Sequence, residues 1–130
     1  VVWAHHPHVL QPWQMVTGPD GGDKLVLHSL GNFLSGQTWR LSPGDYRRRR
    51  AFTGDTAVVQ VRLHADSRRS TVLDVTPLLV TTVNDRVAGP LVRPLASVVT
   101  NHPDEAWRRF FYFRRRAVGP YPSGGRMTVD

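Results

Sequence analysis

Apolar and polar residues alternate through residues 56–64. Val59, Val61 and Leu63 fall on one side, and Gln60, Arg62 and His64 on the other. A period of two over this length predicts a strand with one face buried and one face wet. Residues 1–4 are uniformly apolar and read as the end of a fully buried strand that runs into the polar cluster His5-His6-Pro7-His8. Residues 9–16 mix apolar positions with Gln11 and Pro12 and predict a loop or short strand. The turn cluster Gly18-Pro19-Asp20-Gly21-Gly22-Asp23 separates them from a strand over residues 24–30, which Gly31-Asn32 closes. After a turn at 66–70, residues 71–83 predict one strand, or two, interrupted at Pro77. Asn84-Asp85-Arg86 makes a further turn, and residues 87–95 a short strand bounded by prolines.

The pattern changes period near the C-terminus. Trp107, Phe110 and Phe111 stand at i, i+3 and i+4, one face of a helix predicted over 103–117. Pro103 suits a first helical position, Asp104 and Glu105 complement the positive end of the helix dipole, and Gly119-Pro120 stops the helix. The tail from residue 122 is expected to be loosely ordered. Residues 36–54, rich in Gly, Pro and Arg, are expected to form a long exposed loop. The fold class predicted is α+β and strand-rich, with one C-terminal helix.

Composition narrows the field. The chain has 130 residues, the size of one small domain or part of a larger one, and its 40% hydrophobic content excludes disorder by composition. No apolar run is long enough for a bilayer-spanning helix, and no secretory leader precedes the first strand. The sequence starts Val-Val-Trp-Ala without an initiator Met, from which a fragment is expected, any leader or anchor lying in a missing part. Cysteine is absent, which excludes disulfides, thiolate metal sites and a Cys nucleophile. The formal net charge is +7, favouring anionic partners. Lys24 is the single lysine, so the arginine excess also fits a GC-rich coding sequence.

Three of the six histidines, His5, His6 and His8, fall within four residues. Neutral imidazole is a preferred ligand of zinc-, iron- and manganese-type sites, and residues two apart on an extended strand end project the same way. The bland alternative is a polar surface loop. In Ser29-Leu30-Gly31-Asn32-Phe33, Gly31 permits a sharp turn or close approach, and Asn32 can both donate and accept hydrogen bonds. An ordinary turn explains that segment equally well.

Taken together, HHPHVLQPWQ, a glycine-rich turn and KLVLHSLGNFLSGQ closely resemble the C-terminal block of the CapA-type capsule-synthesis (poly-γ-glutamate synthesis) family. His28 stands where that family usually has Tyr before Ser-Leu-Gly-Asn-Phe. The resemblance is strong over residues 1–37, continues weakly through residues 56–64 and 76–95, and fades in the C-terminal helix. It implies a calcineurin-like metallophosphoesterase architecture, a four-layer α/β/β/α sandwich, of which this chain would be the C-terminal half. Residues 1–100 would belong to that domain and 101–130 form the helix and tail.

The resemblance further implies a centre of two divalent metal ions, with His6 and His8 as metal ligands. Asn32 would be the candidate catalytic residue, near the site and orienting substrate. His5 is not assigned as a ligand. The carboxylate motifs of the family belong to its N-terminal half and do not occur in this sequence. The expectation is therefore an incomplete metal-dependent phosphoesterase-like site, weak metal binding and no hydrolysis by this polypeptide alone. The implied partners are an anionic polymer or phosphoester substrate and the missing N-terminal half, in the cell envelope.

Two arginine runs remain. Arg47, Arg48, Arg49 and Arg50 would guide an anionic polymer or line a solvated loop. Arg108, Arg109, Arg114, Arg115 and Arg116 would make a basic helix for an anionic membrane, or face water while the aromatics pack on a sheet. The competing class is a non-catalytic basic envelope module that holds an anionic polymer. No recognised motif supports specific nucleic-acid binding.

Overall fold

The computed structural model describes residues 1–38 and 40–119, together with the backbone of a two-residue strand at 126–127. The glycine-rich turn folds Trp13–Thr17 (β2) back on Asp23–Leu27 (β3) as an antiparallel pair, with Met15 opposite Leu25. Val2–Trp3 (β1) adds in parallel to β3, and Arg126–Met127 (β7) in parallel to β2, giving the order β1-β3-β2-β7. A second sheet has the order β4-β5-β6, all antiparallel, from Asp55–Ala65 (β4), Ser70–Asp85 (β5) and Gly89–Pro94 (β6). Two helices follow, Leu95–Asn101 (α1) and Glu105–Val118 (α2).

The strand-rich α+β class and the C-terminal helix are as expected. α2 starts at Glu105, two residues later than expected, so Pro103 precedes the helix; Asp104 is its N-cap and accepts a 3.1 Å hydrogen bond from Trp107 N. The alternation in β4 holds as far as Val61. A register shift between Arg62 and Leu63 then breaks it, and Leu63 is exposed. Residues 71–83 lie within one 16-residue strand, not two. Pro77 is tolerated because β6 pairs only with Val80–Asp85, so β5 is an edge strand at the proline.

Three expectations need correction. Residues 1–4 are exposed instead of buried, because β1 is an edge strand of the first sheet. The segment 36–54 is not exposed throughout. It makes three 3₁₀ turns, Gly36–Thr38, Pro43–Arg47 and Arg49–Gly54, that bury Thr38, Ala51 and Thr53. The strand expected through residue 95 ends at Pro94, and α1 begins. Leu95 and Val98 of α1 are buried in the same core as Phe110 and Phe111 of α2. The expectation for the tail from residue 122 lies outside the described residues, apart from β7.

The core joins both sheets and both helices: Leu10, Trp13, Leu25 and Leu27 from the first sheet region, Ala57 and Val72 from the second, and Phe110, Phe111 and Val118 from α2. The sheets are also tied at the β2–β3 turn. Asp23 N donates to Thr71 Oγ1 at 2.9 Å, and Lys24 Nζ reaches both the Ser70 carbonyl and Ser70 Oγ.

Turns in this chain are held by carboxylates. Asp20 accepts from Lys24 Nζ at 2.7 Å and from Gly22 N at 3.1 Å, which together bring its pKa down to about 2. Hydrogen bonds from Arg68 N and Arg69 N lower Asp66, and those from Ala88 N and Val87 N lower Asp85. A carboxyl with a folded pKa below its unfolded value stabilises the fold above the unfolded pKa. That stability is lost as pH falls through the folded value. The urea midpoint is therefore expected to drop between about pH 4 and pH 2. A midpoint that stays level over this range would show that the turn carboxylates do not support the fold. The buried Asp55 is shifted upward and has the opposite sign, acting above its unfolded value, not in this window.

Candidate functional site

β3 ends at Leu27, and the chain turns through Ser29, Leu30, Gly31 and Asn32. This turn is stitched to the histidine segment. Leu10 and Leu30 form an antiparallel bridge, Gln11 N donates to Ser29 O at 2.9 Å, and the buried Ser29 Oγ donates to Pro7 O at 2.8 Å. Ser29 Oγ in turn accepts from Gly31 N at 3.1 Å. Gly31 has φ +76°, and a Cβ there would collide with the Asp55 carbonyl oxygen and lie 2.9 Å from Leu10 N. The glycine is required both by conformation and by the close approach of two backbones.

The stitching places Asn32 against His8. Asn32 Nδ2 donates to Thr53 O at 3.0 Å and lies 3.3 Å from Ser35 Oγ. The amide group is thereby oriented, because a backbone carbonyl can only accept. Its other end, Oδ1, lies 2.9 Å from His8 Nδ1. Oδ1 is an acceptor only, so the network assigns the proton to Nδ1 and leaves the Nε2 lone pair of an exposed imidazole free. Asn32 thus orients the His8 ring. Metal-binding and general-base imidazoles are commonly oriented by such a partner on the second nitrogen.

His5 and His6 are exposed, and neither forms a hydrogen bond or ion pair with the described residues. The backbone bends through Pro7, His8 and Val9, so the extended geometry behind the expectation that His6 and His8 project together is not what positions them. Among the described residues, no group of three or more His, Cys, Asp or Glu side chains comes together to hold a metal ion. Two imidazoles do not complete the donor set of a two-metal centre, which requires hard carboxylate oxygens as well.

Asp55 adjoins the turn through its backbone only. Its side chain enters the core instead and pairs with Arg114. Arg114 Nε donates to Asp55 Oδ2 at 2.7 Å, and Nη2 lies 2.5 Å from Oδ1 without hydrogen-bond alignment, leaving Oδ1 with no aligned donor. Each side chain is 1% exposed. Burial pushes the Asp55 carboxyl up, against the pull of the Arg114 guanidinium, and burial pushes Arg114 down. The guanidinium also lies 4.9 Å from the Phe110 ring centroid and 5.6 Å from that of Phe111. Sequence reasoning placed Arg114 in a basic run. A signal was present nonetheless: Trp107, Phe110, Phe111, Arg114 and Val118 share one helical stripe.

The histidine segment and the Gly-Asn turn are thus joined by direct side-chain and backbone hydrogen bonds. The same two segments carry a family match. Residues 1–37 match the profile of the bacterial capsule synthesis protein family PGA_cap. The match ends just after the Asn32 turn and does not reach β4 or any later element. No curated protein and no solved structure matches the chain.

Nitrogen NMR shifts of His8 near pH 8 are expected to show a protonated Nδ1 and an unprotonated Nε2. An Nε2-protonated ring in the parent chain would break the proposed His8–Asn32 orientation.

Proposed function

We propose that this chain forms part of a cell-envelope capsule-synthesis protein and supplies the imidazole side of a divalent-cation site with phosphoesterase-like chemistry. The observation that carries the reading is the 2.9 Å His8–Asn32 hydrogen bond, which unites the two segments of the matched 1–37 block. His8 offers Nε2, His6 is the second candidate donor, and Asn32 holds the His8 ring. The substrate class is an anionic phosphoester or polymer. The described residues lack carboxylates to complete the site, so the remaining donors come from elsewhere, and no reaction step is assigned to this chain alone.

The test has two parts. Isothermal titration of the chain with Mn²⁺ or Zn²⁺ should show weak binding that His6→Ala/His8→Ala abolishes, with no turnover of a phosphomonoester or phosphodiester. In the native host, the same double substitution in the encoding gene should reduce capsular polymer at the cell surface. Tight stoichiometric metal binding or turnover by the chain would refute the incomplete site. Normal capsule in the variant would refute the function.

A further inference from the structure

We propose that the outer face of α2, together with the turn that packs on it, docks on an anionic lipid surface. The core takes only one stripe of this helix, and two neighbouring aromatics stay outside: Tyr112 is 46% exposed and Phe113 40%. Phe113 stacks on Tyr46 at 4.7 Å and an interplanar angle of 15°, which brings the 3₁₀ turn Pro43–Arg47 onto α2. Two arginine runs far apart in sequence thereby meet around an aromatic pair. Arg47 lies over the Tyr46 ring at 5.4 Å, and Arg49 and Arg50 continue the same exposed segment. On the helix, Arg115 and Arg116 are exposed and pair with no described acid. The acids of this region are already engaged: Asp45 with Arg48 at 2.9 Å, and Glu105 with Arg109 at 3.7 Å.

Exposed arginines flanking exposed aromatic rings suit a headgroup layer, where the rings enter the interface and the cations meet lipid phosphates. No described helix is long and apolar enough to cross a membrane, so the contact is peripheral. Nucleic acid fits less well. One face of Phe113 is already covered by Tyr46, and Tyr112 meets Phe113 edge-on at 5.8 Å, leaving no open pair of ring faces between which bases would stack. A flexible polycarboxylate would use the cations but gain little from the rings.

The experiment is co-sedimentation of the chain with vesicles of phosphatidylcholine alone and of phosphatidylcholine with 30 mol% phosphatidylglycerol. Binding to the anionic vesicles is expected to exceed that to the neutral ones and to fall between 50 mM and 500 mM salt. Arg115→Gln/Arg116→Gln should weaken it by roughly fivefold per arginine. Tyr112→Ser should weaken it without changing net charge. The parent-chain lipid and salt series decides the question even if a variant misfolds. Equal binding to both vesicles, or none, overturns the proposal. So does binding of polyglutamate or a single-stranded oligonucleotide that depends on the arginines but not on Tyr112. His6→Ala/His8→Ala is expected to leave vesicle binding unchanged, so failure here is separate from failure of the cation site.

Discussion

Arg114→Ala is expected to destabilise the fold by about 3–5 kcal/mol, measured by urea unfolding followed by circular dichroism. The arginine is the only described cation paired with Asp55, and both side chains are 1% exposed. Removing it strands a carboxylate in the core and opens a cavity against Phe110 and Phe111. The lost ring contacts alone would cost about 1–2 kcal/mol, so the stranded charge dominates. For a domain of this size the total is a large share of the stability. A paired substitution separates the two causes. Asp55→Leu/Arg114→Met replaces the ion pair with apolar groups and is expected to recover most of the loss, since a buried pair seldom outperforms good apolar packing. If Arg114→Ala lies within about 1 kcal/mol of the parent, the pair is not buried as described.

Gly31→Ala should cost about 2–6 kcal/mol, from two independent sources. Holding a side chain at φ +76° costs about 1–3 kcal/mol. Forcing apart the Asp55 carbonyl and Leu10 N adds about 1–3 kcal/mol, because both neighbours are backbone and cannot swing aside. The effect should be structural as well as energetic. The Leu10–Leu30 bridge sets the position of the histidine segment, so amide resonances of residues 7–11 should shift and the His8–Asn32 contact should weaken. A variant as stable as the parent would show that the two backbones do not approach closely here.

Local rules in the sequence were sufficient for β4 as far as Val61 and for the body of α2. In β4 the alternation follows one more buried face, and in α2 the aromatic spacing acts within the helix itself. α1 was not legible, because Leu95-Ala96-Ser97-Val98-Val99 carries β-branched residues and follows a proline. Its helical form depends on Leu95 and Val98 packing against α2, a tertiary effect. The exposure of Val2 and Trp3 was likewise hidden, since an apolar run does not reveal whether its strand lies at a sheet edge. At the candidate site, residue types and family resemblance pointed to His6, His8 and Asn32. The specific role of Asn32 required the amide orientation set by Thr53 O, which no linear spacing encodes. Asp55 was obscured in a similar way: its backbone abuts the site while its carboxylate serves the core.

The β4–β5 hairpin extends beyond the reach of β6 and presents Val58, Leu73 and Leu78 to water. Such a ribbon invites sideways recruitment of other copies. Pro77 withholds a donor on the β5 border, and on the same strand Leu73 is left unpaired where the register shifts between Arg62 and Leu63, which bends the ribbon. Both interruptions disfavour edge-to-edge pairing of the exposed ribbon with another copy.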